Sequence, residues 1–193
     1  MPKKSNTKGS SFERKMAKTF SSWYSRGERT DIFWRTEGSG ARATNSRKRG
    51  NGILYSSSGD MRALDPIGEP LIRCYHFEFK CYKFGTGIGY LFSLLGKNTN
   101  PTFWKQWDKT CEEAFETQRA PFYILKLDGH KELVFLRKKD FSPLYKYLRF
   151  KPQTRMDIKI DGENLVVFRL EEFLTIDPDR WLKLMAKGKL LES

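Results

Sequence analysis

Ile72-Arg-Cys-Tyr-His-Phe-Glu-Phe-Lys-Cys-Tyr82 is the stretch on which the fold turns. It is rich in aromatic and apolar residues and carries no Pro or Gly, so it reads as a strand. Side chains two apart share a face of a strand. Glu78 and Lys80 therefore project together with Cys74, His76 and Tyr82, while Arg73, Tyr75, Phe77, Phe79 and Cys81 face the other way. A carboxylate beside an ammonium on a rigid strand, with Asp60 upstream in Ser-Ser-Gly-Asp-Met-Arg, suits metal-assisted cleavage of a phosphodiester.

Working outward, Ser10-Ser11-Phe12-Glu13 matches a capping box, and Phe12, Met16, Phe20 and Tyr24 recur at fourfold spacing, which predicts a helix closed by Ser25-Arg26-Gly27. Asp31–Arg35 reads as a first strand. Thr36 to Gly52 is a cationic loop, and Asp65-Pro-Ile-Gly-Glu-Pro70 a turn. Gly85-Thr-Gly-Ile-Gly89 lacks the dinucleotide fingerprint, and Gly96-Lys97-Asn98 lacks the Ser or Thr of a phosphate-binding loop. A helix is expected from Thr102 to about Arg119, with Phe103, Trp104, Trp107, Cys111 and Phe115 on its apolar side as core rather than as a base-stacking platform. Phe122–Leu136 reads as a hairpin turning at Asp128-Gly129, and a second hairpin turns at Asp161-Gly162. Phe141–Leu148 is a short helix, and Asp177-Pro178 opens a last one that runs to about Lys187. The expected architecture is α/β, with a mixed central sheet flanked by helices. Residues 1–9 form a basic tail disordered until bound, 10–140 a core, and 141–193 a C-terminal α+β extension packed on it.

The 193 residues carry 36 Lys and Arg against 23 Asp and Glu, a formal charge of +13, which favours a polyanion such as nucleic acid. No apolar run is long enough to span a membrane and there is no secretory core. Cys74, Cys81 and Cys111 make no CxxC pair, so a reducing cytoplasm is expected. With only His76 and His130 there is no HExxH helix and no Cys/His zinc cluster, and no nucleophile elbow is present. A hydrolytic metal would have carboxylate ligands, which points to Mg2+ or Mn2+. Asp60 and Glu78 are its candidate ligands, with the main-chain carbonyl of Phe79 between them and Lys80 placed to orient water or offset phosphate charge.

Each of these residues also has a plain structural reading. Seventeen residues separate Asp60 from Glu78, and Asp65 competes within that interval, but Asp60 is preferred because it follows Gly and begins an alternating strand. Asp65 precedes Pro66, where the chain turns. Glu13 serves either as the far half of a capping box or as a third carboxylate. His76 shares the catalytic face but reads as a hydrogen-bonded strand residue rather than a ligand. Arg42, Arg47, Lys48 and Arg49 form a basic cluster beside the site, suited to gripping DNA phosphates.

Taken together, Gly9-Ser-Ser-Phe12-Glu13-Arg14-Lys15, Arg35-Thr-Glu-Gly-Ser39-Gly40, Gly59-Asp60 and Phe77-Glu78-Phe79-Lys80 resemble the PD-(D/E)xK nuclease superfamily, nearest to archaeal-type Holliday junction resolvases and their phage relatives. The resemblance covers residues 9 to 137. It implies a restriction-endonuclease-like core, magnesium dependence, Glu13 as a helix-borne carboxylate, and contacts from Arg35 and Ser39 to phosphate. Lys105 or Gln106 would add a polar group near that phosphate. It further implies branched DNA as substrate, a homodimer making paired cuts, and a bacterial, archaeal or phage-infected cell as the setting. The chain after residue 140 has no counterpart in that pattern and would supply specificity or a dimer surface. A restriction- or homing-type duplex nuclease, a nuclease of RNA, and a non-catalytic DNA-binding protein of the same fold are the alternatives.

Overall fold

In chain order the elements are α1 (Ser5–Tyr24), β1 (Phe33–Arg35), β2 (Met61–Ala63), α2 (Glu69–Cys74), β3 (Tyr75–Tyr82), α3 (Pro101–Glu116), β4 (Ala120–Leu127), β5 (Leu133–Arg137), α4 (Lys138–Leu148), β6 (Met156–Ile160), β7 (Glu163–Arg169), α5 (Leu170–Phe173) and α6 (Pro178–Ala186). They come from a computed structural model that describes residues 5–36, 58–83, 101–160 and 162–186. The architecture is the expected α/β one. Five strands form a mixed sheet in the order β3-β4-β5-β7-β6, and β1 and β2 make a separate antiparallel ribbon. Among the described strands only the β3–β4 pair is parallel. A parallel pair needs a long crossover, and α3 lies within this one.

The decisive stretch divides between two elements. Ile72 to Cys74, expected in the strand, belong to α2 instead. Pro70 sits in the first turn of α2, where a missing N–H is harmless, and the helix buries Leu71, Ile72 and Cys74 together. Just upstream, the Asp65 carboxylate accepts from the Ile67 N–H at 3.0 Å and caps a single 3-10 turn. From Tyr75 onward the two-residue period holds. Phe77 and Phe79 lie among the residues packed under α1, with ring centroids 5.1 Å for Phe20–Phe77 and 6.3 Å for Phe12–Phe79. On the opposite face Phe103, Trp104 and Trp107 of α3 pack on Tyr123, Phe135, Leu165 and Val167, so these aromatics are core. Burying each such ring contributes about 1.5–3 kcal/mol, so the two faces carry most of the fold's cohesion.

Two helix expectations need correction. Helix α1 starts at Ser5, so residues 5–9 are helical, Ser10 lies inside the helix, and the Ser10–Glu13 capping box does not form. The apolar stripe Phe12, Met16, Phe20 and Tyr24 is buried as expected and anchors the helix whatever its first residue. Phe115, expected on the apolar side of α3, is 82% exposed. Steps of four residues drift about 40° each around a helix, so 103, 107, 111 and 115 walk off the buried face. The buried side runs instead through Phe103, Trp107, Thr110 and Ala114.

The chain beyond residue 140 continues the same sheet. β6 and β7 form an antiparallel hairpin, and β7 pairs with β5. The turns at Gly129 and Gly162 both place glycine at positive φ, +77° and +85°, as those hairpins require. Asp177 caps α6 through the Asp179 N–H at 3.1 Å.

Candidate active site

Strand β3 is an edge strand, and its outer rim is met by the residues just before β2. Asp60 makes both connections. Its N–H donates to the Phe77 carbonyl at 2.7 Å, and its carboxylate Oδ2 accepts from the Phe79 N–H at 2.8 Å. Within a strand the N–H and C=O of one residue point to the same edge, so the Phe79 carbonyl also opens toward Asp60. Such close docking explains Gly59. A Cβ there would stand 3.0 Å from the Phe77 carbonyl oxygen, and its φ of +85° is one that side-chain-bearing residues rarely adopt.

Glu78 and Lys80 rise from the same face of β3, opposite to Phe77 and Phe79, and are ion-paired. Lys80 Nζ also lies 3.9 Å from Asp60 Oδ2. Burial first, then the charge of Asp60, pushes the Glu78 carboxyl up to about 7 despite Lys80 beside it. Burial alone would lower Lys80, but Glu78 and Asp60 outweigh it and hold its ammonium protonated well above the ordinary range. Asp65 sits elsewhere, held by Arg29 at 2.6 Å.

Glu13 approaches from α1. Burial and then Asp60 raise its carboxyl, while Arg35, 3.4 Å away, and Lys80 lower it. Arg35 thus turns onto Glu13, at the rim of the same cluster. Among the described residues no three His, Cys, Asp or Glu side chains converge as a ready-made metal cage. The buried Asp60 carboxylate, the half-buried Glu78 carboxylate and a main-chain carbonyl do share one edge, an all-oxygen donor set that suits a hard divalent cation keeping part of its water shell. Ionising Glu78, buried and next to Asp60, is unfavourable unless further positive charge is supplied.

Beneath the site lies a polar group that sequence reading did not anticipate beyond His76. The His76 ring is fully buried. Its Nδ1 is 3.1 Å from the Arg119 guanidinium and 3.2 Å from Ser58 Oγ, and its Nε2 is 3.4 Å from Glu113. A guanidinium can only donate, so Nδ1 accepts and the proton sits on Nε2, facing Glu113. Burial and Arg119 keep the imidazole neutral against the pull of Glu113. Arg119 also donates to the Ser58 carbonyl at 3.3 Å and the Ile72 carbonyl at 3.4 Å. Ser58, two residues before Asp60, is thereby clamped to the start of β3. Arg119 and Glu113 carried no local signal, since their partners lie far away in the chain. Gln106 accepts from the hydroxyls of Tyr82 at 3.1 Å and Tyr123 at 2.9 Å, and Lys105 is exposed.

Ser39, Arg42, Arg47, Lys48 and Arg49 lie outside the described residues, as do both glycine-containing segments between residues 84 and 100. No helix among the described residues is long and apolar enough to cross a membrane. No curated protein and no solved structure matches the chain. A family model described as phage putative PDDEXK endonuclease matches residues 4–183, which takes in every element from α1 to α5 and most of α6. A docked Gly-Asp, a Glu-x-Lys strand at the edge of a mixed sheet, and a match over nearly the whole chain lead to one assignment: the chain belongs to this phage family of PD-(D/E)xK endonucleases.

Proposed function

We propose that this nuclease hydrolyses DNA phosphodiesters at the outer rim of β3 using Mg2+ or Mn2+, that it acts as a homodimer, and that it selects branched duplex. The observation that carries the reading is the double attachment of Asp60 to β3 beside the Glu78–Lys80 pair. Asp60, Glu78 and the Phe79 carbonyl would hold the cation. When bound, such an ion polarises the scissile phosphate and makes water a stronger nucleophile.

The remaining work falls to side chains. Asp60 holds its orientation because the Phe79 N–H fixes its Oδ2. The Lys80 ammonium, kept protonated, donates to the attacking water and offsets charge gathering on the phosphate. Glu13, balanced by Arg35, supplies outer acidic charge or a third ligand. Arg35, Ser39, Arg42, Arg47, Lys48 and Arg49 would grip neighbouring phosphates, in keeping with the +13 charge. Recognition of branched shape would need no base readout, and paired cuts across a junction would need two copies. The free thiol of Cys111 suits a cytoplasmic setting.

The test is cleavage of labelled four-way junction, linear duplex and single strand in Mg2+, Mn2+ or EDTA, with Lys80→Met alongside. Symmetric metal-dependent nicks confined to the junction, absent in the variant, support the whole proposal. Efficient cutting of linear duplex replaces junction selectivity with a restriction- or homing-type activity. Tight binding without cleavage in either metal overturns catalysis and leaves a DNA-binding protein.

A further inference from the structure

A cleft of about 460 Å³ opens on the C-terminal part of the chain, far in sequence from the catalytic rim and sharing no residue with it. Arg149, Lys151 and Arg180 line it with two acids, Glu172 and Asp177. Both acids are engaged from within. Glu172 accepts from the N–H groups of Gln153 and Thr154 and from the Thr154 hydroxyl. Asp177 accepts from Arg26 at 3.0 Å and from the Asp179 N–H at 3.1 Å. Among the described residues none of the three cations has a carboxylate within ion-pair distance. With both acids held by internal donors and three cations against two carboxylates, the balance the cleft presents to an incoming molecule is positive.

Two of the three cations sit where local structure disfavours them. Arg149 ends α4 in the left-handed conformation, φ +56°, a position that glycine fills more readily. Arg180 stands in the first turn of α6, at the positive end of the helix dipole, where the charge of Asp177 three residues earlier offsets part of the cost. A cation after the last turn of α4 would be welcome to that helix's dipole, but this explains neither the arginine's left-handed backbone nor Arg180 across the cleft. Glu172 meanwhile fixes the loop that carries Lys151. Costly placement of charge around a shaped opening is the mark of a site that binds something.

We propose that Arg149, Lys151 and Arg180 form a second phosphate-binding cleft, which takes a DNA backbone segment beyond the one held at the β3 rim. The inference rests on the reading of the chain as a DNA nuclease. Such a cleft contacts backbone and not base edges, so it adds affinity and salt dependence without sequence preference.

The experiment uses the full chain and DNA duplexes and four-way junctions in Ca2+, reading affinity by fluorescence anisotropy from 50 to 300 mM salt. The variants are Arg149→Gly and the triple Arg149→Gln, Lys151→Gln, Arg180→Gln. Each phosphate contact contributes a slope of about 0.9 to log K against log salt. The triple variant should lose about 2 to 3 from that slope and bind at least tenfold more weakly at 150 mM salt, with its thermal midpoint unchanged. Arg149→Gly should lose about 1 from the slope while its midpoint holds or rises, because glycine relieves the left-handed backbone; a purely structural arginine would do the reverse. If wild-type protein binds DNA and the triple variant keeps its slope, this cleft is overturned and the nuclease reading stands. If wild-type protein binds no DNA at all, both fall together.

Discussion

Replacing Glu78 with Gln should stabilise the metal-free protein while abolishing its activity, and the gain should depend on pH. In the folded chain burial and Asp60 lift the Glu78 carboxyl from 4.5 to about 7. The folded value lies above the unfolded one, so the carboxyl contributes stability below pH 4.5, and that contribution is lost as pH rises through 7. At pH 8 ionised Glu78 therefore weakens the metal-free fold by about 3 kcal/mol, whereas near pH 5 the penalty is below about 1 kcal/mol. Glutamine imitates the neutral acid and removes the penalty. For a chain of this size about 3 kcal/mol corresponds to a rise of roughly 6–12 °C in Tm. Thermal unfolding followed by circular dichroism in EDTA, at pH 8 and pH 5, measures it. Adding Mg2+ should raise the midpoint of the native protein at pH 8 and leave that of the variant nearly where it was. A variant less stable than native at pH 8, or one whose advantage persists undiminished at pH 5, would refute the picture of a carboxylate pair held in want of a cation.

Three other outcomes follow from the geometry. Gly59→Ala puts a methyl 3.0 Å from the Phe77 carbonyl at a φ of +85°, so stability should drop by about 1–3 kcal/mol; half-maximal cleavage should also need several-fold more Mg2+, as a metal titration would reveal. Lys80→Met should lose cleavage yet keep DNA affinity within about threefold in Ca2+ (one lost phosphate-facing charge among many). Because Lys80 lowers the Glu78 carboxyl, the same variant's metal-induced stabilisation should move to higher pH. Trp107→Ala opens a hole between α3 and the sheet, predicting a loss of about 3–5 kcal/mol in urea denaturation with unchanged DNA affinity in whatever fraction stays folded.

Much of this was legible in the sequence because its physics is local. Two-residue alternation placed Glu78 and Lys80 on one face, glycine at the turns located both hairpins, and Asp177-Pro178 announced α6. Gly59-Asp60 was legible as a pair, but its reason was not: that glycine is there because a strand backbone 18 residues later passes within 3.0 Å of its missing Cβ. What failed was also local reasoning overruled from a distance. Ile72 to Cys74 look like strand by composition, yet burying them against α1's side of the core is done as a helical turn. Ser10 and Glu13 spell a capping box, but the helix passes through both. His76 was legible as a hydrogen-bonded strand residue, but its partners Arg119, Glu113 and Ser58 were invisible, since they come from segments far from it in the chain.

Asp60's grip on β3 has a bearing on solubility as well as on chemistry. A sheet that ends in an aromatic-rich strand with exposed N–H and C=O groups is a template for another chain to pair with. Here the loop carrying the acid occupies that rim, taking the Phe77 carbonyl and the Phe79 N–H out of reach. Whatever loosens Asp60 thus uncovers a sticky border, and the mutants most useful for dissecting catalysis are those that need watching for self-association. Asp60→Asn, whose amide oxygen can still accept from Phe79, keeps the border closed; Asp60→Ala removes the side-chain half of the seal.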